Sequence, residues 1–278
     1  MTSPVKKQRL DMLLFRLRPD LSRSRVKAEI MAGKVQVNGR VVDKPGTMVA
    51  EDAAIIIIEA GNPYVSRGGL KLEGALNDFS SNVEGLVVLD VGSSTGGFTD
   101  CLLKKGARLI YALDVGYGQL AQSLRNDSRV IVMERHNVRQ LHRNDLPERP
   151  DLAVVDVSFI SLKKVLPVLA GLFVPAVLAL VKPQFEAGKA EADRGSGVIR
   201  DPAVHRQVLK NLIEFACSVG YCCGNLTYSR WPGPKGNIEF FIYFEFRTGI
   251  SCFCLPDQNS LLEQIVSTSH RELINNKI

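Results

Sequence analysis

Apolar residues follow two different rhythms along this chain. Near the start, Leu10, Leu13, Leu14 and Leu17 recur at helical spacing, which predicts an amphipathic helix. A second helix is predicted from Ser22, an N-cap residue, through Val26 and Ile30 to Gly33. Val35-Gln36-Val37-Asn38-Gly39-Arg40-Val41 alternates around Asn-Gly, the pattern of a hairpin with a type I′ turn. Residues 53–59 predict one more strand. From Val87 the rhythm changes to short unbroken apolar runs at about Val87, Ala107, Val130, Leu152 and Val177, with helical stretches between them. Continuous runs predict strands buried on both faces, hence a parallel, doubly wound α/β sheet. Asp201-Pro202 opens a long helix to about Val219 by N-cap and N1 proline. Residues 222–231 and 238–246 predict an antiparallel pair closing the sheet, and beyond Arg247 a helix is predicted around residues 261–266.

The unbroken apolar run of residues 165–181 invites a membrane reading. It is shorter than the usual span of about 20 residues, and Pro175 divides it into a helix near residues 162–172 and a strand at residues 176–181. No apolar leader follows the basic start, residues 1–9. Across 278 residues the hydrophobic content is 45%, that of a globular protein with a sizeable core. Six cysteines (Cys101, Cys217, Cys222, Cys223, Cys252 and Cys254) form no zinc-ribbon spacing and are expected to be reduced thiols in a cytoplasmic protein, with no metal site. The predicted organisation is a small α+β domain at residues 1–60, a proline-stiffened linker at 61–65, the α/β domain at 66–247 and a tail at 248–278.

The most informative stretch is Asp90-Val91-Gly92-Ser93-Ser94-Thr95-Gly96-Gly97-Phe98. A buried strand, a glycine loop, a helix over residues 98–105, a strand over 107–113 and then Asp114 make a nucleoside-binding half of a Rossmann-like sheet. The acid about 20 residues past the loop is where a ribose diol is held. Ser94 stands where a dinucleotide loop has its middle glycine, against the pyrophosphate. That weakens a NAD or FAD reading and suits S-adenosylmethionine.

Net charge is +6, which admits a polyanionic partner. The excess gathers early: residues 1–45 carry eleven basic side chains against four acids (Asp11, Asp20, Glu29 and Asp43). Arg9-Leu10-Asp11, Ser22-Arg23-Ser24-Arg25, Ala28, Ile30, Gly33, Val35, Val37-Asn38-Gly39 and Lys44-Pro45 resemble the alpha-L RNA-binding domain. Arg23, Arg25 and Lys27 cluster near a helix N-terminus, which favours phosphate. Arg9, Lys34 and Arg67 complete the expected RNA-binding set.

Asp156 and Lys182 each end an apolar strand and should meet in the crevice outside the carboxyl ends of the strands. Lys71 and Glu239 are polar residues beside apolar runs, and spacing alone does not place them. In order, Lys71, Asp156, Lys182 and Glu239 resemble the K-D-K-E tetrad of FtsJ-like RNA ribose 2′-O-methyltransferases. With Ser66-Arg67-Gly68-Gly69-Leu70-Lys71-Leu72, Asp156-Val157-Ser158-Phe159-Ile160-Ser161, Val181-Lys182-Pro183-Gln184-Phe185-Glu186 and Gly233-Pro234-Lys235-Gly236-Asn237-Ile238-Glu239, the resemblance is closer to the TlyA (haemolysin A) family. It spans roughly residues 5–246.

That resemblance implies methyl transfer from S-adenosylmethionine to ribose 2′-hydroxyls of ribosomal RNA, with cytidine as the target and ribosomal subunits as partners. It implies a catalytic set of Lys71, Asp156, Lys182 and Glu239. The implied cofactor set is Asp90, Gly92, Ser93, Ser94, Thr95, Gly96, Gly97, Phe98, Asp114, Asn137 and Asp156, with Asn137 near adenine. A lysine has pKa about 10.4, so Lys182 as base requires burial or a second cation such as Lys71; the base role is the expectation. The rivals are a membrane-active haemolysin, which would need an amphipathic basic helix of useful length, a binding-only RNA module, and methylation of a non-ribosomal RNA.

Overall fold

The computed structural model describes residues 7–18, 21–38, 40–57, 62–247 and 258–273, which divide by contacts into two units, residues 1–70 and 71–278.

The first unit contains β1 (Lys7–Arg9), α1 (Leu10–Leu17), α2 (Arg23–Met31), β2 (Val35–Val37), β3 (Arg40–Val41), β4 (Met48–Ala50) and β5 (Ile55–Ile57). Leu10, Leu13, Leu14, Val26, Ile30 and Val35 are buried together, so the helical spacing read from sequence does mark a core face. Leu17 departs from it. It is 54% exposed because α1 ends there and the stripe runs out of partners. The expected hairpin is β2–β3, with Asn38 at φ +50°, the left-handed geometry a type I′ turn needs; Gly39 lies outside the described residues. β2 also pairs with β5, while β1 and β4 form a separate antiparallel pair that the pattern did not signal. The last expected residues of β5 and the start of the linker, residues 58–61, are outside the described set.

The second unit is built on seven strands. In chain order its elements are α3 (Arg67–Asp78, which begins in the first unit), β6 (Val87–Val91), α4 (Gly97–Lys104), β7 (Leu109–Asp114), α5 (Gln122–Arg125), β8 (Val130–Glu134), β9 (Leu152–Val155), α6 (Leu166–Gly171) and β10 (Ala176–Val181). They are followed by α7 (Pro183–Glu186), α8 (Lys189–Arg194), α9 (Pro202–Ser218), β11 (Tyr221–Tyr228), β12 (Phe240–Phe246) and α10 (Gln258–Leu273). The sheet order is β11-β12-β10-β9-β6-β7-β8, parallel except for β12, which lies antiparallel between β11 and β10. β6 is flanked by β7 and β9, so the topological switch, where open α/β sheets bind ligands, falls at its carboxyl end.

The 165–181 run divides as expected, into α6 and β10, although its first turn is a separate 3₁₀ turn at Leu162–Lys164. Among the described residues no helix is long and apolar enough to cross a membrane. Two findings differ from the sequence reading. Cys222, on edge strand β11, is disulfide-bonded rather than a thiol, while Cys101, Cys217 and Cys223 carry thiols. The helix expected near residues 261–266 is the longer α10, which packs Leu262 and Val266 against α9 and β11 as part of the main core.

Candidate active site

β6 is buried along its whole length and delivers the chain into a loop that needs glycine. Gly92 has φ +89°, and a Cβ there would stand 2.4 Å from the Asp156 carbonyl oxygen. Gly96, at φ +96°, would drive a Cβ to within 2.2 Å of Leu124. The loop is held by Gly92 and Ser93 N–H groups donating to the Leu113 carbonyl and by Gly96 N–H donating to that of Ser93. Thr95 accepts at its carbonyl from Ala121 N–H, Gly97 starts α4, and Phe98 turns into the core with its ring 6.2 Å from that of Phe241.

Asp114, the last residue of β7, closes the loop from the other side. Its carboxylate accepts from the N–H groups of Ser94 at 2.8 Å and Gly116 at 2.6 Å. Asn137 uses its Oδ1 to cap the 3₁₀ turn that follows β8, at 3.1 Å from Arg139 N. Sequence reasoning gave no role to Glu134, an acid that ends β8 much as Asp114 ends β7. The Arg125 guanidinium first, then backbone N–H groups of Gly118 and Leu120, hold its carboxyl down to about 2, pinning the loop after Asp114. Asp90 points under the loop with no exposure; its Oδ2 accepts from Thr99 Oγ1 at 2.6 Å. Burial first, then the charges of Asp156 and Asp114, push it up to about 7, against a partial offset from Thr99.

The four tetrad residues form two ion pairs at this end of the sheet. Lys182 leaves β10 and places Nζ 2.6 Å from Asp156 Oδ1. The same Nζ lies 3.0 Å from the hydroxyl of Ser158, a residue the sequence reading gave no role. Val181 and Phe240 are register partners on antiparallel strands, so Glu239, one residue before, stands at the same end as Lys182. Lys71, on α3, reaches Glu239 Oε2 at 2.6 Å, with Lys71 11% exposed and Glu239 wholly buried. Gly233 packs so closely that its Cβ would be 2.0 Å from Glu239 Oε1. Asp156 joins the two halves of the site. Its N–H donates to Val91, its carbonyl abuts Gly92, and its side chain holds Lys182.

In the N-terminal unit the basic residues are partly engaged. Arg9 makes a two-pronged pair with Asp11, at 3.0 and 2.7 Å, and Lys34 pairs with Glu29 at 3.0 Å. The Arg23 guanidinium lies 5.2 Å from the Phe15 ring centre. Lys27 is exposed, Arg67 packs its aliphatic stem on Gly33, and the Arg25 side chain lies outside the described set.

The family described as FtsJ-like methyltransferase matches residues 64–246, and the one described as S4 domain matches residues 8–55. The chain belongs to the FtsJ-like methyltransferase family. It is 46% identical over 274 residues to "Putative rRNA methyltransferase YqxC" of Bacillus subtilis, covering 96% of each chain. It is 44% identical over 237 residues to "16S/23S rRNA (cytidine-2'-O)-methyltransferase TlyA" of Mycobacterium tuberculosis, covering 84% of this chain and 88% of that one. The solved structure "Putative hemolysin from Streptococcus thermophilus" is similar over 99% of both chains, with 39% identity and a TM-score of 0.77. For this methyltransferase the nucleoside half is chemically suited to S-adenosylmethionine. Asp114 supplies a fixed carboxylate for a diol, the glycine loop supplies close backbone, and Asp90 supplies a buried acid beside it.

Proposed function

We propose that this methyltransferase modifies ribose 2′-hydroxyls of ribosomal RNA, with cytidine as the target nucleoside, S-adenosylmethionine as donor, and ribosomal subunits in the cytoplasm as its partners. The observation that carries this reading is the meeting of Lys71–Glu239 and Lys182–Asp156 at the strand ends, joined through Asp156 to the glycine loop. The names of the relatives support the substrate, and the basic S4 domain suits RNA recognised through backbone and shape.

When bound, the donor supplies an electrophilic methyl on a sulfonium, which needs little acid assistance. The protein's task is therefore alignment and removal of the hydroxyl proton. Lys182 Nζ reaches the Ser158 hydroxyl at 3.0 Å, so it is placed to donate a hydrogen bond to an incoming ribose hydroxyl. Asp156 fixes that ammonium, and Glu239 fixes Lys71. An ammonium held by a carboxylate orients the hydroxyl, whose proton passes to water as the methyl is transferred; Lys182 can accept that proton only as the neutral amine. Asp114 would hold the donor's ribose hydroxyls, and Gly92 to Gly97 its methionine end.

The test is transfer of labelled methyl to isolated ribosomal subunits, with Lys182→Ala as control. Incorporation at a cytidine 2′-oxygen is the expected result. Labelling of transfer or messenger RNA alone would replace the substrate, and release of dye from liposomes by pure protein without methyl transfer would favour the haemolysin reading.

A further inference from the structure

The proposed chemistry gives Asp90 a place beneath the glycine loop but no use for its charge. Asp90 occupies the fourth position of β6 with no exposure, and among the described residues no cation is ion-paired to it. Its Oδ2 accepts from Thr99 of α4, and its Oδ1 has no hydrogen-bond partner among the described residues. The charged groups acting on it, Asp156 after β9 and Asp114 at the end of β7, are both acids. Burying a carboxyl beside two others without a cation is costly. An asparagine would accept from Thr99 equally well and avoid that cost. The ligand proposed for this crevice supplies what the protein withholds, because the donor carries a positive sulfonium and its demethylated product does not.

We infer that Asp90 reads the charge of the bound nucleoside: it releases its proton to solvent when the cationic donor seats on the glycine loop and regains one when the neutral thioether product remains. The pocket thereby holds donor in preference to product and lets the product go. The inference rests on the donor proposed above. Both ligands share the amino acid end and the adenosine, so the difference between them isolates the sulfonium. Its attraction for a wholly buried carboxylate is stronger than for one at a surface. The near-neutral titration of Asp90 puts the exchange within reach of ordinary pH.

Isothermal titration calorimetry on the full chain tests this, with S-adenosylmethionine and S-adenosylhomocysteine each titrated in phosphate and in Tris at pH 6, 7 and 8. The dependence of heat on buffer counts protons. The donor should release more protons than the product at pH 7, and the preference for donor should grow by about threefold or more from pH 6 to 8. In Asp90→Asn the two proton counts should become equal and the donor preference should fall by about tenfold, the equivalent of one pKa unit. Equal proton release for the two ligands in the unaltered protein would overturn the inference, whether or not Asp90→Asn folds. Failure to bind either ligand would instead overturn the donor assignment, and the inference with it.

Discussion

Lys71 and Glu239, 168 positions apart in the chain, meet at 2.6 Å, and the carboxylate has no exposure. Such a pair is poor evidence of net stability, since desolvation offsets much of the attraction, but breaking one side strands a buried charge. Lys71→Met should therefore destabilise the protein by about 3 kcal/mol or more, while Lys71→Met combined with Glu239→Leu should recover most of that loss. Urea unfolding of the single and double variants measures it. A single variant as stable as the parent would mean that Glu239 finds another partner.

Lys182 should matter to rate and not to donor binding. Removing it takes away the group proposed to orient the reacting hydroxyl, and Lys182→Ala should slow single-turnover methyl transfer by about 10²-fold or more. Because Asp156 holds the ammonium at 2.6 Å, the rate in the parent should be flat across neutral pH. A rate rising tenfold per pH unit would return the proton to Lys182, as the sequence reading expected.

Asp114 is already committed to two backbone donors, Ser94 and Gly116, so the carboxylate proposed to meet the donor's ribose is held in a fixed position. Asp114→Ala removes a charged acceptor and loosens the loop. Affinity for S-adenosylmethionine should fall by about 2 kcal/mol, some thirtyfold, with Asp114→Asn losing less. Equilibrium binding of the donor decides it, and an unchanged dissociation constant would move the ribose elsewhere.

What was legible in the sequence follows the range of the interactions involved. Gly92, Gly96 and Asp114 lie within one strand–loop–strand unit, so their spacing alone described the loop that the structure has. Asp156 and Lys182 were legible because a polar residue ending an apolar strand has one crevice to occupy. Lys71 and Glu239 needed more: β12 inserts antiparallel beside β10, and only that register brings Glu239 level with Lys182. Ser158 and Thr99 were silent because a lone hydroxyl carries no pattern until its partner is known. The length of α10 was hidden for a similar reason. Its buried Ser269 and half-buried His270 look like surface residues until α9 covers them.

That covering makes a prediction about acid. His205 of α9 is fully buried, with Nδ1 2.9 Å from His270 Nε2 of α10 and its ring against Phe240. Burial first, then the neighbouring His270, lowers His205 to about 4, and burial also lowers His270. The unfolded chain titrates near 6.5, so between about 6.5 and 4 it binds more protons than the folded one. Stability present above 6.5 should be lost as pH falls through this window, by up to about 3 kcal/mol for His205. Urea midpoints at pH 7, 6 and 5 follow the loss, and His205→Phe should flatten it. An equally steep profile in that variant would assign the acid sensitivity to other groups.

The S4 domain sets the last expectation. Arg9 and Lys34 are occupied by Asp11 and Glu29, whereas Lys27 is exposed. A phosphate contact by a lysine releases about one counterion from the RNA, and so shows in the salt dependence as well as in the affinity. Lys27→Ala should weaken binding to ribosomal RNA and reduce the slope of log K against log salt by about 0.7 to 0.9. Arg9→Ala must first free Asp11, whose charge then stands close to the phosphates. It should lose more affinity than Lys27→Ala at low salt, and recover part of it in Arg9→Ala/Asp11→Asn. Filter binding across a salt series separates these cases, and a slope unchanged by Lys27→Ala would place the phosphate contacts on another face of the domain.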